Sequence, residues 1–162
     1  MHVGKKQIGF TIVELLIVIV VIGILAGITV VSYVGIQNQA HDSAIQSDLK
    51  QFATRMQMLK ADNGTYPALY SLTPSMGIKL STGSYGKDSQ SRNASYCVNE
   101  TTDEYIFYAL SKSGNSYQIK STDGLQKTSA VSGYNICTRV GVASTQPNQA
   151  LMPGGWSSWA NP

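Results

Sequence analysis

The sequence predicts an α+β protein: one long N-terminal helix, apolar first and amphipathic second, packed on a three- to four-stranded antiparallel sheet. Three observations carry this. Residues 10–34 are almost wholly apolar, the apolar residues from 36 to 59 recur every three to four positions, and runs rich in Tyr, Ile, Val and Phe follow residue 95. The composition agrees with an exported, partly membrane-embedded chain. Of 162 residues, 43% are hydrophobic, which excludes a disordered chain, and only 13% are charged. Twelve Lys and Arg against nine Asp and Glu give a net charge of +3 with no basic stripe, which argues against nucleic acid as a partner.

Residues 1–9, MHVGKKQIG, form a short basic leader, and residues 10–35 an apolar helix whose single charged side chain is Glu14. A helix over residues 10–34 is about 37 Å long, enough to cross a bilayer core of about 30 Å. Lys5 and Lys6 precede the span and the next basic side chain is Lys50, so the positive-inside rule keeps the N-terminus in the cytoplasm and exports the rest. The run is too long for an ordinary secretory signal and leads into more helix instead of a small-residue cleavage site. A plain membrane anchor has no use for a carboxylate near the start of its span, so Glu14 calls for a functional partner.

The stretch Gly9-Phe10-Thr11-Ile12-Val13-Glu14, set between a Lys-bearing leader and a long apolar run, resembles the class III signal of type IV prepilins. That family comprises type IV pilins and the pseudopilins of secretion and DNA-uptake systems. The resemblance implies cleavage between Gly9 and Phe10 by a prepilin peptidase and N-methylation at Phe10. It also implies assembly through a pair between Glu14 and the Phe10 amine of a neighbouring copy. The physics agrees, because an unpaired carboxylate and an unpaired amine are both costly in an apolar bundle.

The helix continues through residues 36–62. Ile36, Ala40, Ala44, Ile45, Leu49, Phe52, Ala53, Met56 and Leu59 share one face, with polar side chains such as Asp42, Gln46 and Lys50 elsewhere. Asn63-Gly64 supplies the stop, with Pro67 soon after. Gly23 and Gly27, four residues apart, read either as a small-residue surface for close helix packing or as a point where the helix stretches or melts in a filament. Residues 63–95 read as a loop wrapping the helix. Strands are expected at Ser95–Asn99, Tyr105–Leu110 and Ser116–Thr122, with another including Tyr134–Val142, all inside a sheet and C-terminal loop over 96–162. The region 36–162 is thus expected to be an extracellular head, and its helix-on-sheet layout resembles that of the pilin head.

Cys97 and Cys137, an even count in an exported head, read as one disulfide, with two buried thiols as the alternative. The pair also resembles the C-terminal staple of pilins. Secretion pseudopilins resemble this chain less in that respect, since their family pattern is a calcium loop without a disulfide. No enzyme, cofactor or metal site is expected: His2 lies in the leader, His41 reads as solvated on the polar flank of the helix, and Asp103-Glu104 as a solvated turn. Trp156 and Trp159 in the tail read as packing residues, or as an exposed aromatic pair docking a glycan.

The function this predicts is a structural subunit of a type IV pilus, for adhesion or twitching motility. The alternatives are a minor pilin or pseudopilin of a secretion or DNA-uptake system and, from another class, a single-pass surface-binding protein that never polymerises. Expected partners are copies of itself in a helical filament, the prepilin peptidase, the inner-membrane assembly platform, the lipid bilayer before assembly, and a host or partner-cell surface.

Overall fold

The structure, a computed structural model, describes residues 9–68, 77–87, 93–129, 136–139 and 149–151. The chain divides into two units, Met1–Gln37 and Asn38–Pro162. A single helix, α1 (Ile12–Asn63), contributes to both. In the first unit the large side chains described along it are solvent-exposed. Two hydroxyls there bond back to the helix, Thr29 Oγ1 donating to the Ala26 carbonyl at 2.9 Å and Ser32 Oγ to that of Ile28 at 3.1 Å. These polar groups are therefore satisfied without water.

In the second unit α1 lies on an antiparallel sheet. Its strands are β1 (Ala94–Asn99), β2 (Glu104–Leu110), β3 (Ser116–Lys120), β4 (Gly124–Thr128) and β5 (Gln149–Leu151), in the order β4-β3-β2-β1-β5. Strands β1 to β4 form a meander, and the three-residue β5 adds to the far edge of β1. The period of two assigns the faces. Ala94, Tyr96 and Val98 of β1, Tyr105, Phe107 and Ala109 of β2, and Tyr117 and Ile119 of β3 join Ile45, Leu49, Phe52 and Met56 of α1 in one buried core. Phe52 is its centre. Its ring stacks on Phe107 at 4.3 Å and meets Tyr96 and Tyr105 edge-on at 5.5 and 6.0 Å.

The helical face reads from the sequence as expected at Ile45, Leu49, Phe52 and Met56, whereas Ile36 and Ala40 are exposed. Leu80, Ile78 and Tyr85 of the wrapping segment are buried in the same core. The segment rejoins the sheet at an antiparallel bridge from Tyr85 to Ser111, and the Gly86 amide donates to the Leu110 carbonyl at 2.7 Å. A Cβ at position 86 would stand 2.5 Å from the Ser111 carbonyl oxygen, so this approach requires glycine.

Four expectations change, the fourth being Asp103, described with the other carboxylates below. The run Tyr134–Val142 is not a strand where it is described: Ile136–Arg139 is a short helical turn, α2. Its β-branched and aromatic residues suit a half-buried surface more than any particular backbone, and here Cys137 is tied to β1. Strand β3 stops at Lys120, and Ser121-Thr122-Asp123 form a turn leading to Gly124 in the left-handed region (φ 71°). The chain then returns as β4, whose one large apolar residue, Leu125, made it invisible as a hydrophobic run. His41 is not simply solvated. It is half-buried, with Nδ1 3.3 Å from Ser84 Oγ in the 3-10 turn Thr82–Ser84.

Carboxylates fasten the head. Asp48, almost wholly buried on α1, accepts from the Ser81 amide at 2.6 Å, the Ser81 hydroxyl at 3.0 Å and the Tyr85 hydroxyl at 3.1 Å. Burial raises its pKa above the usual carboxylate value, and these three hydrogen bonds only partly oppose the rise. Asp42 accepts from the Ser113 hydroxyl and, at 2.7 Å, from the Asn115 amide, clamping the β2–β3 turn. Partial burial pushes its pKa up, but hydrogen bonds from Ser113, Ser111, Asn115 and Tyr117 together outweigh that and hold it below the ordinary value. Asp103 is likewise no solvated turn residue. It pairs with Lys60 at 2.8 Å and accepts from the Tyr66 amide at 2.8 Å, tying the end of α1 to the β1–β2 turn.

The disulfide joins Cys97 and Cys137, 40 residues apart, with the Cα atoms 5.7 Å from each other. Both half-cystines are buried with Ile106, Tyr108 and Leu110 on the sheet face opposite α1. Replacing Cys137 by Ser should lower the unfolding free energy of the head by about 3–4 kcal/mol, read from the denaturant midpoint at unchanged m-value. Because the Asp48 pKa is raised in the folded state, its contribution is fully present below the ordinary carboxyl value and is lost as pH rises through the folded value. Asp48→Asn should therefore remove one falling component from the stability–pH curve at and above that ordinary value of 3.8. An unchanged curve would show that Asp48 titrates alike in both states.

Candidate assembly site

The residues singled out at the N-terminus lie together at the start of α1. Gly9, Phe10 and Thr11 precede the first helical turn and are exposed, Phe10 at 87%. The first helical bond runs from the Leu15 amide to the Thr11 carbonyl, which makes Thr11 the N-cap and Glu14 the third residue inside the helix.

Thr11 and Glu14 satisfy each other. The Glu14 amide donates to Thr11 Oγ1 at 3.2 Å, while the Thr11 amide and hydroxyl both donate to Glu14 Oε2 at 2.8 Å. This is a capping box, in which each side chain takes up a backbone N–H that the helix leaves unpaired. Thr11 was missed as a functional residue in the sequence, although the spacing Thr-x-x-Glu before an apolar run carries the signature. The arrangement fixes the direction of the Glu14 side chain and sets its negative charge against the positive end of the helix dipole.

Beyond the cap, Ile12, Val13, Leu15, Leu16, Ile17 and the other described large apolar side chains up to Val34 face the surroundings. By length and composition α1 is able to cross a membrane. Gly23 and Gly27 sit within the unbroken helix, and a Cβ at either would meet nothing within 4 Å. The bare surface they leave admits another backbone closely.

Cys97 and Cys137 are brought together as described, far along the chain from the capping box. Trp156 and Trp159 lie outside the described residues, as do Lys5 and Lys6. Among the described residues no group of three or more His, Cys, Asp or Glu side chains is placed to hold a metal ion.

Comparison with known proteins bears on this N-terminal region. Residues 4–30 match the family model described as the prokaryotic N-terminal methylation motif. The chain is similar to type II secretion system core protein G of several bacteria. It is 36% identical to that of Pseudomonas aeruginosa over 64 residues, 40% of this chain and 45% of the relative. Against that of Escherichia coli (strain K12) it is 37% identical over 67 residues, 41% of this chain and 46% of the relative. Against that of Klebsiella pneumoniae it is 30% identical over 89 residues, 55% of this chain and 60% of the relative. The match thus spans about half the length of these relatives. No solved structure matches.

Thr11→Ala should break the box from one side and destabilise the first helical turn by about 0.5–2 kcal/mol. Amide hydrogen exchange of the full chain in micelles should then speed up at Val13 and Glu14 and stay unchanged beyond the second turn. Equal exchange in both proteins would mean that the box adds nothing to the helix end.

Proposed function

We propose that this chain, placed among the type IV pilin-like proteins by its prepilin-type N-terminus, is a pseudopilin: a structural filament subunit of a type II secretion-type system, not an enzyme. The observation that carries the reading is the exposed apolar surface that the described side chains of α1 form between Ile12 and Val34, with the single carboxylate Glu14 at its start. Such a surface is stable in lipid or against copies of itself, and the prepilin-type motif implies cutting by a prepilin peptidase followed by self-assembly. The similarity to core protein G supports secretion over a surface pilus.

Insertion places the leader in the cytoplasm and the head on the far side of the membrane. Cleavage after Gly9 removes Lys5 and Lys6 and leaves Phe10 with a free or methylated α-amine. Withdrawal from the bilayer is then coupled to packing of the helix among other copies. In that apolar bundle Glu14 pairs with the Phe10 amine of a neighbour, which cancels two charges that are each costly alone. The pair acts as a register device, since a copy docked out of step leaves both charges bare. Gly23 and Gly27 let helices approach closely within the same bundle.

A second reading, the structural subunit of a type IV pilus serving adhesion or twitching, is favoured by one observation, the Cys97–Cys137 staple. Abundance separates the two. A secretion pseudopilin should be scarce in material sheared from the cell surface, and a major pilin should dominate it. In either case mass spectrometry should find the N-terminal peptide beginning at Phe10 and about 14 Da heavier from one methyl group. Glu14→Ala should leave insertion and cleavage intact and lower filament recovery by at least about a hundredfold, as expected when one partner of a buried charge pair is removed. Normal filaments from that variant would dismiss the pairing, and an uncut Met1 terminus would dismiss the filament reading.

A further inference from the structure

A groove of about 260 Å³ runs between α1 and the segment Gly77–Lys79 of the head. Gln51, Thr54, Arg55 and Met58, spaced i, i+3, i+4 and i+7, make one wall along a single helix stripe. The other wall is set by Gly77, whose φ of +67° turns the chain so that Ile78 enters the core and Lys79 stays at the surface. Two cations line this groove. Lys60 and Lys120 have carboxylates within their own chain, Asp103 and Asp123, but Arg55 and Lys79 have no acidic partner among the described residues.

Arg55 is the stronger signal. One arm of its guanidinium rests against Met58, with Nη1 4.0 Å from Sδ, while its Nε is buried with no hydrogen-bond partner. A guanidinium is always charged and offers five donors in a plane suited to a carboxylate. Leaving one of them buried and unpaired costs free energy that an acceptor entering the groove would recover. Gln51 Nε2 donates to Ser47 and Thr54 Oγ1 to the Lys50 carbonyl, and the oxygens of neither side chain accept from Arg55 Nε. Met58 and Ile78 would line the carbon stem of an incoming side chain.

We propose that this groove receives the Asp62 carboxylate of a second copy of the chain. The inference rests on the filament reading above. Among the described residues of the head, Asp62 is the acid without a partner in its own chain. Asp42, Asp48 and Asp103 are bonded as described, Glu104 accepts from Thr102, Asp123 pairs with Lys120, and Glu100 is also engaged. Asp62 is exposed and lies seven residues beyond Arg55 on the same helix, an axial step of about 10 Å. Two parallel copies offset by that step bring the carboxylate of one level with the cations of the next. Each copy then gives one acid and offers one cationic groove, a heterologous contact that does not close on itself and so extends into a filament.

The test compares filament recovery, in cells that assemble the wild-type full chain, for Asp62→Arg, the groove reversal Arg55→Glu with Lys79→Glu, and all three changes combined. Asp62 is exposed and makes no hydrogen bond or ion pair among the described residues of its own head, so Asp62→Arg tests the contact without threatening the fold. An oxidised Cys97–Cys137 pair on non-reducing gels reports that each head has folded. Asp62→Arg and the groove reversal should each lower recovery about tenfold or more, and the triple variant should return most of it. Wild-type recovery from Asp62→Arg, or a folded triple variant that still fails, would overturn the pairing while leaving the filament reading intact. Normal filaments with lost secretion in the groove reversal would assign the groove to another acidic partner and overturn it equally. A wild-type chain that never polymerises would overturn both readings.

Discussion

Phe52 is where helix and sheet become one object. Its ring stacks on Phe107 and touches Tyr96 and Tyr105, so strands β1 and β2 are held to α1 through one side chain. Ile45, Leu49 and Met56 repeat the same attachment one turn apart, and Ile78, Leu80 and Tyr85 close the cluster from the wrapping segment. Burial of an aromatic side chain of this size contributes about 1.5–3 kcal/mol from transfer alone, before the ring contacts are counted. The two edges of the sheet depend on this centre. Strand β4 is largely exposed, and β5 pairs over only three residues.

The helix carries carboxylates under different rules, and position alone separates them. Glu14 answers to the helix end, through Thr11. Asp42 holds a turn through hydroxyl and amide donors. Asp48 is buried and keeps its place because Ser81 and Tyr85 supply three donors to two oxygens. A buried acid with that many donors is a fastening: Oδ2 takes the Ser81 amide and the Tyr85 hydroxyl together, and loss of the Ser81 hydroxyl takes from Oδ1 its donor.

Much of this was legible in the sequence because periodicity is a direct consequence of geometry. The 3.6-residue pattern marked Leu49, Phe52 and Met56, and the runs rich in Tyr, Ile, Val and Phe marked strands near Ser95–Asn99, Tyr105–Leu110 and Ser116–Thr122. The face that Tyr96, Val98, Tyr105 and Phe107 share emerged from the structure. Strand β4 escaped because an edge strand needs little hydrophobic surface, so Gly124–Thr128 looked like a loop despite the Asp123-Gly124 turn before it. Ile136–Arg139 was misread as strand because residues with strand propensity were placed by a distant cystine instead. Asp48 was passed over because a charged residue on a helix reads as surface until the loop that covers it is known. At the assembly site Glu14 stood out by its isolation among apolar residues, whereas Thr11 did not, since a threonine in a hydrophobic stretch raises no energetic objection.

The crossing at Gly86 has a consequence for how such a chain can vary by descent. Its backbone lies so close to Ser111 that even a methyl group would collide with a carbonyl oxygen. Lineages are free to exchange exposed residues around it, such as Lys87 and Lys112, at little cost. At position 86 the available alphabet has one letter, unless the bridge to Ser111 is given up together with the burial of Tyr85 beside it. The joint is therefore inherited as a block: a single replacement damages it, and only a coordinated rebuilding of both strands at the crossing could replace it.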